Sequence, residues 1–390
     1  MKPVTAGHAI GGAIARMQSI DVLRGAVMVL MAIDHVRVYS GIPAGGPSPG
    51  IFFTRWITHF CVPSFVFFAG TSALLYGYKL GSKKKLASYL LTRGLLLVIF
   101  ELTVIRFCWT FNLTYDGFLL AGVIWMLGWC MVLLSAFVSL KPLVVGIIGL
   151  VFILAQSLFS FVPDALPLTI RESFGHYWEF IYPSGSDAAG GMSVLYVLVP
   201  WIGVMAAGYG FGTIMLMELV KRKKICLAIG LCSTLAFIVA GTITVSRQPQ
   251  NPDAPAFIFQ LLNQRKYPAS LLYLLMTLGP VIALIPYMEK VKGWLARVLI
   301  IFGRVPLFYY LLHIPLIHLS SLLANFIKDG TVHPEWWAHA PFTSVPEEAR
   351  WNLPLLYLVF IIDVTILYFI CRWYAKYKFS HPEKKWLKYI

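Results

Sequence analysis

The chain has 390 residues, of which 58% are hydrophobic and only 13% charged, and its formal net charge is +15. That charged share is roughly half that of an ordinary soluble domain and excludes a water-facing globular surface. In a soluble protein the positive charge would point to nucleic acid, but here the cations collect at the ends of apolar stretches, so nucleic acid is not an expected partner.

Long continuous apolar runs such as residues 142–162 do not fit a barrel of short alternating strands. They predict an all-α integral membrane protein, a polytopic bundle of about ten transmembrane helices at about 20 residues per crossing. The predicted spans are residues 19–39, 57–78, 88–110, 118–138, 142–162, 192–217, 225–245, 267–289, 298–325 and 353–374. Basic clusters at 83–85, 221–224, 290–297 and 376–388 each follow an even-numbered span, which by the positive-inside bias places both termini in the cytoplasm. The expected organisation is a cytoplasmic segment 1–18, a membrane domain 19–374 and a basic cytoplasmic tail 375–390. Residues 1–18 lack an apolar core followed by a small-residue cleavage site, so no removed signal peptide is expected. Six scattered cysteines show neither a CxxC pair nor a disulfide framework, and no metal is expected.

Ionisable residues inside spans are costly and mark function by default. In the first span Asp21, Arg24, Met28 and His35 stand at offsets of 3, 7 and 14, one stripe of a helix, with Asp34 beside His35. The second span opens with Arg55 and His59, which an out-to-in helix sets at the level of His35. Arg93 and Glu101 in the third span lie two turns apart and roughly on one face, so mutual or interhelical pairing is expected, with Arg106, Asn112, Tyr115 and Asp116 following toward the outer turn. Prolines at 63, 200, 280, 306 and 315 are expected to kink helices around a cavity. In the ninth span His313 is the functional candidate and His318, five residues on and on another face, an interfacial or hydrogen-bonded histidine; Asp363 in the last span is expected to meet an arginine. Aromatics of the outer segments, including Tyr177, Trp178, Trp336 and Trp337, could stack on sugar rings or anchor at the interface.

The stretches SIDVLRGAVMVLMAIDH (19–35) and HFCVPSFVFFAGTS (59–72) resemble the heparan-alpha-glucosaminide N-acetyltransferase catalytic-domain family and its bacterial relatives of unknown acceptor. QRKYPASLLYLLMTLGP, GRVPLFYYLLHIPLIH and the tail KKWLKYI extend the resemblance over most of the chain. The resemblance implies transfer of an acyl group, usually acetyl, from cytoplasmic acyl-CoA to a hydroxyl or amine, with a sugar as the expected acceptor, at the outer face of a bacterial cytoplasmic membrane. The lysosomal enzyme's proposed catalytic histidine lies in the loop after its first span. Residues 40–56 contain no histidine, so here only His35 or His59 can take that place. No counterpart of that enzyme's large lumenal domain is seen, so heparan-type substrates are not implied.

On this reading His35, oriented by Asp34, or His59 acts as general base or acyl carrier; Arg24, Arg93 and His313 hold the acyl-CoA; Arg55, Arg106 and Asn112 hold the acceptor. The partners are the lipid bilayer, acyl-CoA and a small-molecule or glycan acceptor, with a homodimer an open option for assembly. A proton-coupled transporter of a small solute is the alternative, since buried ionisable groups and kinked helices also mark solute pathways. A haem protein is the third.

Overall fold

The computed structural model describes residues 17–45, 48–115, 119–183, 185, 187–249 and 254–390. Residues 1–16 of the expected N-terminal segment, and Asp116, lie outside them. Helix α1, Gln18–Tyr39, carries Asp21 in its first turn and Arg37 in its last, both favourable to the helix dipole. Ser48 caps α2 (Pro49–Trp56), which runs through a short 3₁₀ turn into α3 (Cys61–Leu80), closed by Gly81 in the left-handed region. Ser82 caps α4 (Lys83–Phe100); a π turn over Glu101–Ile105 leads into α5 (Arg106–Thr110). Then come α6 (Val123–Phe137), α7 (Pro142–Leu154), the short α8 (Leu168–Trp178), α9 (Trp201–Met215) and α10 (Leu219–Ser246). The chain ends with α11 (Phe257–Leu262), α12 (Leu271–Met288), α13 (Trp294–Arg304), α14 (Pro306–Asp329) and α15 (Leu353–Ser380).

The protein is thus an α-helical integral membrane protein. Five helical stretches, at 49–80, 219–246, 271–288, 306–329 and 353–380, are long and apolar enough to cross a membrane; α6, α7 and α9 are shorter apolar helices. Helix α1 carries Asp21, Arg24, Asp34 and Arg37 and is not among the five. On α10 and α15 the outward residues, such as Leu231, Leu235, Ile361 and Phe369, are large, apolar and exposed, as a lipid-facing surface requires.

Several predicted spans differ in detail. The segment 298–325 is two helices broken at Val305, because Pro306 has no N–H to offer and its ring excludes a continuing turn, so α14 starts on it. The segments 118–138 and 192–217 begin as extended chain: Leu119–Ala121 pairs in parallel with Met192–Val194, the one small sheet among the described residues. Helix α9 starts only after Pro200, and α7 gives way to 3₁₀ turns after Leu154. Helix α15 continues to Ser380, past the expected end at 374.

Helix α1 lies inside the bundle against α3, α12, α13, α14 and α15. Its contact with α13 is backbone on backbone: a Cβ built on Gly25 would lie 1.8 Å from the Leu299 carbonyl oxygen, and one on Gly303 would lie 1.9 Å from that of Asp21. No side chain fits in either gap. One end of the bundle gathers the basic segments: Lys83 donates to the carbonyls of Ser139 and Leu140, Arg222 pairs with Glu289, and Arg93 donates to the carbonyl of Lys388. The opposite end is closed by loops: Trp351 N–H bonds Ser40, and the fully buried Trp337 indole donates to the Tyr39 carbonyl. Gly25→Val should lower the apparent melting temperature of the detergent-solubilised protein, by the order of an overpacking penalty of about 1–3 kcal/mol or more. Gly45→Ala, at an exposed position with nothing within 4 Å of the added carbon, should melt like wild type. Equal melting of both variants would mean that α1 and α13 do not touch.

Candidate active site

A cavity of about 660 Å³ runs along α1 between α3, α4 and α6. All four members of the α1 stripe, Asp21, Arg24, Met28 and His35, line it. The reason is elementary: a polar stripe on a buried helix needs either partners or a wet space, and here it has both. At the basic end Arg24 donates to the Ser72 hydroxyl at 2.6 Å and to the Phe68 carbonyl at 3.3 Å. Arg93 donates to the Tyr89 hydroxyl at 2.8 Å, and Lys79 completes a cationic rim. The middle of the cavity is apolar, with Met28, Met31, Phe65 and Leu97. At the loop end stand Asp34, His35, Arg37, Trp109, Lys266 and Tyr267.

His35 Nδ1 lies 2.6 Å from His313 Nε2, the ring centroids being 4.8 Å apart with 22° between planes. Trp109 meets the His35 ring edge-on at 4.9 Å. Asp34 does not orient His35. Consecutive residues of a helix face different ways, and the Asp34 carboxylate instead takes two bonds from Arg37 at 3.0 and 3.2 Å and faces the Lys266 ammonium at 3.9 Å. His313 is fully buried behind His35 and does not line the cavity, so the expected contact to acyl-CoA becomes a contact to the other histidine.

The remaining sequence candidates lie elsewhere. His59 is buried in the 3₁₀ turn before α3, 5.4 Å from the Tyr273 ring, outside the cavity lining. Arg55 reaches Asn263 at 3.5 Å in an exposed position. Arg106 donates to the carbonyls of Asn112 and Thr114 and sits 4.3 Å over the Tyr115 ring, while the Asn112 side chain accepts from Thr114. These three hold outer turns together, and none of them lines the cavity.

Glu101 does not pair with Arg93. Its carboxylate accepts the N–H groups of Ile124 (2.9 Å) and Trp125 (3.1 Å), capping α6 from a neighbouring helix across Gly122, where a Cβ would collide with it at 2.3 Å. Asp363 accepts from Ser320 at 2.6 Å in place of an arginine. His318 bonds the Cys108 carbonyl at 3.3 Å and stacks on Phe111 at 3.9 Å, which makes it the hydrogen-bonded of the two alternatives read from sequence.

Arg37, Lys266, Trp109, Tyr196 and Tyr267 are site residues that sequence reasoning passed over. A signal existed for two of them. Arg37 continues the first-span polar set by one more turn, and Lys266 stands inside the RKYP segment at the mouth of a predicted span. Nothing in the sequence brings residue 266 to residue 34.

Residues 16–245 match the family model of the heparan-alpha-glucosaminide N-acetyltransferase catalytic region. The match spans α1 to α10 and takes in Arg24, Asp34, His35 and Arg93; Lys266 and His313 lie beyond it. No curated protein matches the chain.

Glu101→Ala should lower the apparent melting temperature of the solubilised protein, because two buried backbone donors lose their acceptor at about 1–3 kcal/mol. Glu101→Gln, which keeps one acceptor oxygen, should lose less. An unchanged melt for Glu101→Ala would mean that the carboxylate does not cap α6.

Proposed function

Because the chain belongs to the heparan-alpha-glucosaminide N-acetyltransferase catalytic family, we propose that it moves an acetyl group from acyl-CoA, held at the basic end of the cavity, to a hydroxyl or amine acceptor at the loop end. The observation that carries this reading is the placement of His35 in a cavity whose other end is rimmed by Arg24, Lys79 and Arg93. Cations suit the phosphates of coenzyme A through charge-assisted bonds. His35 stands eleven helical steps from Arg24, about 16 Å at 1.5 Å per residue. A pantetheine arm has about the backbone bonds of four peptide units between diphosphate and sulfur, ~14 Å when extended. Phosphates at Arg24 and Arg93 therefore bring the thioester up to His35 through an apolar channel suited to the arm.

At that point His35 Nε2 takes the proton of the acceptor hydroxyl or amine. The acceptor heteroatom attacks the thioester carbonyl, the C–S bond breaks, and the thiolate leaves with the proton from His35. Arg37, Lys266 and the rings of Trp109, Tyr196 and Tyr267 replace Arg55, Arg106 and Asn112 as the acceptor's surroundings. Aromatic rings beside cations suit a sugar. With the basic end in the cytoplasm, as the positive-inside bias has it, donor and acceptor come from opposite faces of a bacterial cytoplasmic membrane, across a membrane domain 19–374 followed by a basic tail.

A solute carrier is the second reading, favoured by a cavity lined from one end of the bundle to the other. Thiol release decides between them. Purified protein in nanodiscs should release free thiol from acetyl-CoA in the presence of an amino sugar; uptake by proteoliposomes without thioester cleavage would favour the carrier. His35→Ala should abolish release while acetyl-CoA still binds, and a fully active His35→Ala would remove His35 from the chemistry. Arg93→Gln should raise the acetyl-CoA KM about tenfold with little change in kcat, the loss of one charge-assisted bond. An unchanged KM would put the phosphates elsewhere.

A further inference from the structure

We infer that His313 is a positioning residue that fixes the tautomer of His35, holding the hydrogen on Nδ1 and the lone pair of Nε2 in the cavity. The inference rests on the acyltransferase reading for its consequence, but its geometry is independent of it. His313 Nδ1 lies 2.7 Å from the Tyr310 carbonyl oxygen and 3.2 Å from that of Tyr309. A carbonyl only accepts, so the hydrogen of His313 is on Nδ1. His313 is fully buried, its ring is packed by Tyr309 at 5.3 Å and Tyr310 at 5.1 Å, and the carboxylate of Asp34 is committed to Arg37 and Lys266. A second proton would make an uncompensated buried cation, so His313 is neutral and its Nε2 is an acceptor.

The 2.6 Å contact between His313 Nε2 and His35 Nδ1 then has one arrangement, with His35 donating. A neutral His35 so held carries no hydrogen on Nε2, the nitrogen at the far end of the ring from His313. The opposite tautomer would present an N–H to the acceptor and could not take its proton. When His35 does take that proton, its Nδ1–H keeps the same acceptor, so the bond that orients the base is also in place for the imidazolium, with no reorganisation. The Tyr310 carbonyl beyond His313 cannot take a proton onward. The O–H or N–H proton of the acceptor therefore stays on His35 Nε2 until the leaving thiolate collects it, and the transfer closes without a proton passing through the bundle. The logic is that of a histidine oriented by a buried acceptor, here with an imidazole where a carboxylate is more usual.

The experiment uses the full chain in proteoliposomes. With acetyl-CoA and glucosamine as probes, His313→Leu should lower kcat about 10²-fold, the scale of general-base catalysis, with the acetyl-CoA KM unchanged. His313→Gln, whose amide oxygen can stand where Nε2 stands, should recover most of the rate; loss in Leu without recovery in Gln would overturn the assignment, as would full activity in both. Solid-state NMR of ring-¹⁵N histidine, with the His35 signals identified by their absence in His35→Gln, reads the tautomer whether or not glucosamine is accepted. The expected pattern is a protonated Nδ1 and bare Nε2 in wild type and in His313→Gln, with the Nε2–H form appearing in His313→Leu. A wild-type His35 with hydrogen on Nε2 would overturn the inference and leave the transferase reading standing. Normal turnover by His35→Gln would remove His35 from the chemistry and leave the tautomer assignment standing.

Discussion

An ionisable side chain cannot face hydrocarbon, and the bundle is arranged around the helix on which that constraint presses hardest. Helix α1 carries two acids, two arginines and a histidine within 22 residues. Each is answered inside the protein: Arg24 by Ser72 and the Phe68 carbonyl, Asp34 by Arg37 and Lys266, His35 by His313. Answering them forces α1 to the interior, and Gly25 and Gly303 let α13 close over it with backbones in contact. The cavity is the space that remains where side chains from α3, α4 and α6 do not fill the polar face.

That origin explains why the cavity has two chemically different ends. Toward the basic segments it is rimmed by Arg24, Lys79 and Arg93; toward the loops it holds His35, the charged cluster of Asp34, Arg37 and Lys266, and aromatic rings. Between them lie methionines, Phe65 and Leu97. A thioester of coenzyme A has the same order of parts, with phosphates first, a slim arm next and the reactive carbonyl last. The aromatic cluster of Tyr39, Trp109, His318 and Trp337 closes the loop end, the Tyr39 hydroxyl donating to the Trp109 carbonyl at 2.7 Å. His35 thus stands beside a closely packed wall. Of the aromatics that sequence offered as sugar platforms, Trp337 is fully buried in this cluster and Trp178 donates its indole N–H to Phe159. Both are structural.

Arg93 and Glu101, like Asp34 and His35, are neighbours along one helix, yet in an apolar interior the partner that wins is the one that brings geometry and a full set of bonds. For Glu101 that partner is the start of α6, whose first N–H groups have no acceptor of their own. For His35 it is His313, 278 residues away. Arg55, Arg106 and Asn112 do not line the cavity, and position along the chain alone does not say which way a side chain points.

What the sequence determined by itself is what local hydropathy and covalent chemistry dictate. Apolar length makes the helices, prolines and glycines end them, the clustered cations sit at one end, and a stripe at offsets of 3, 7 and 14 gives α1 a polar face that has to be turned inward. The family, too, was legible in its short motifs. Only the tertiary structure decided that this face opens on a cavity, that Lys266 and Arg37 hold Asp34, and that His35 meets His313. Such contacts join segments hundreds of residues apart, and which of several equally polar partners meets which is settled by helix packing, on which a linear pattern carries no information.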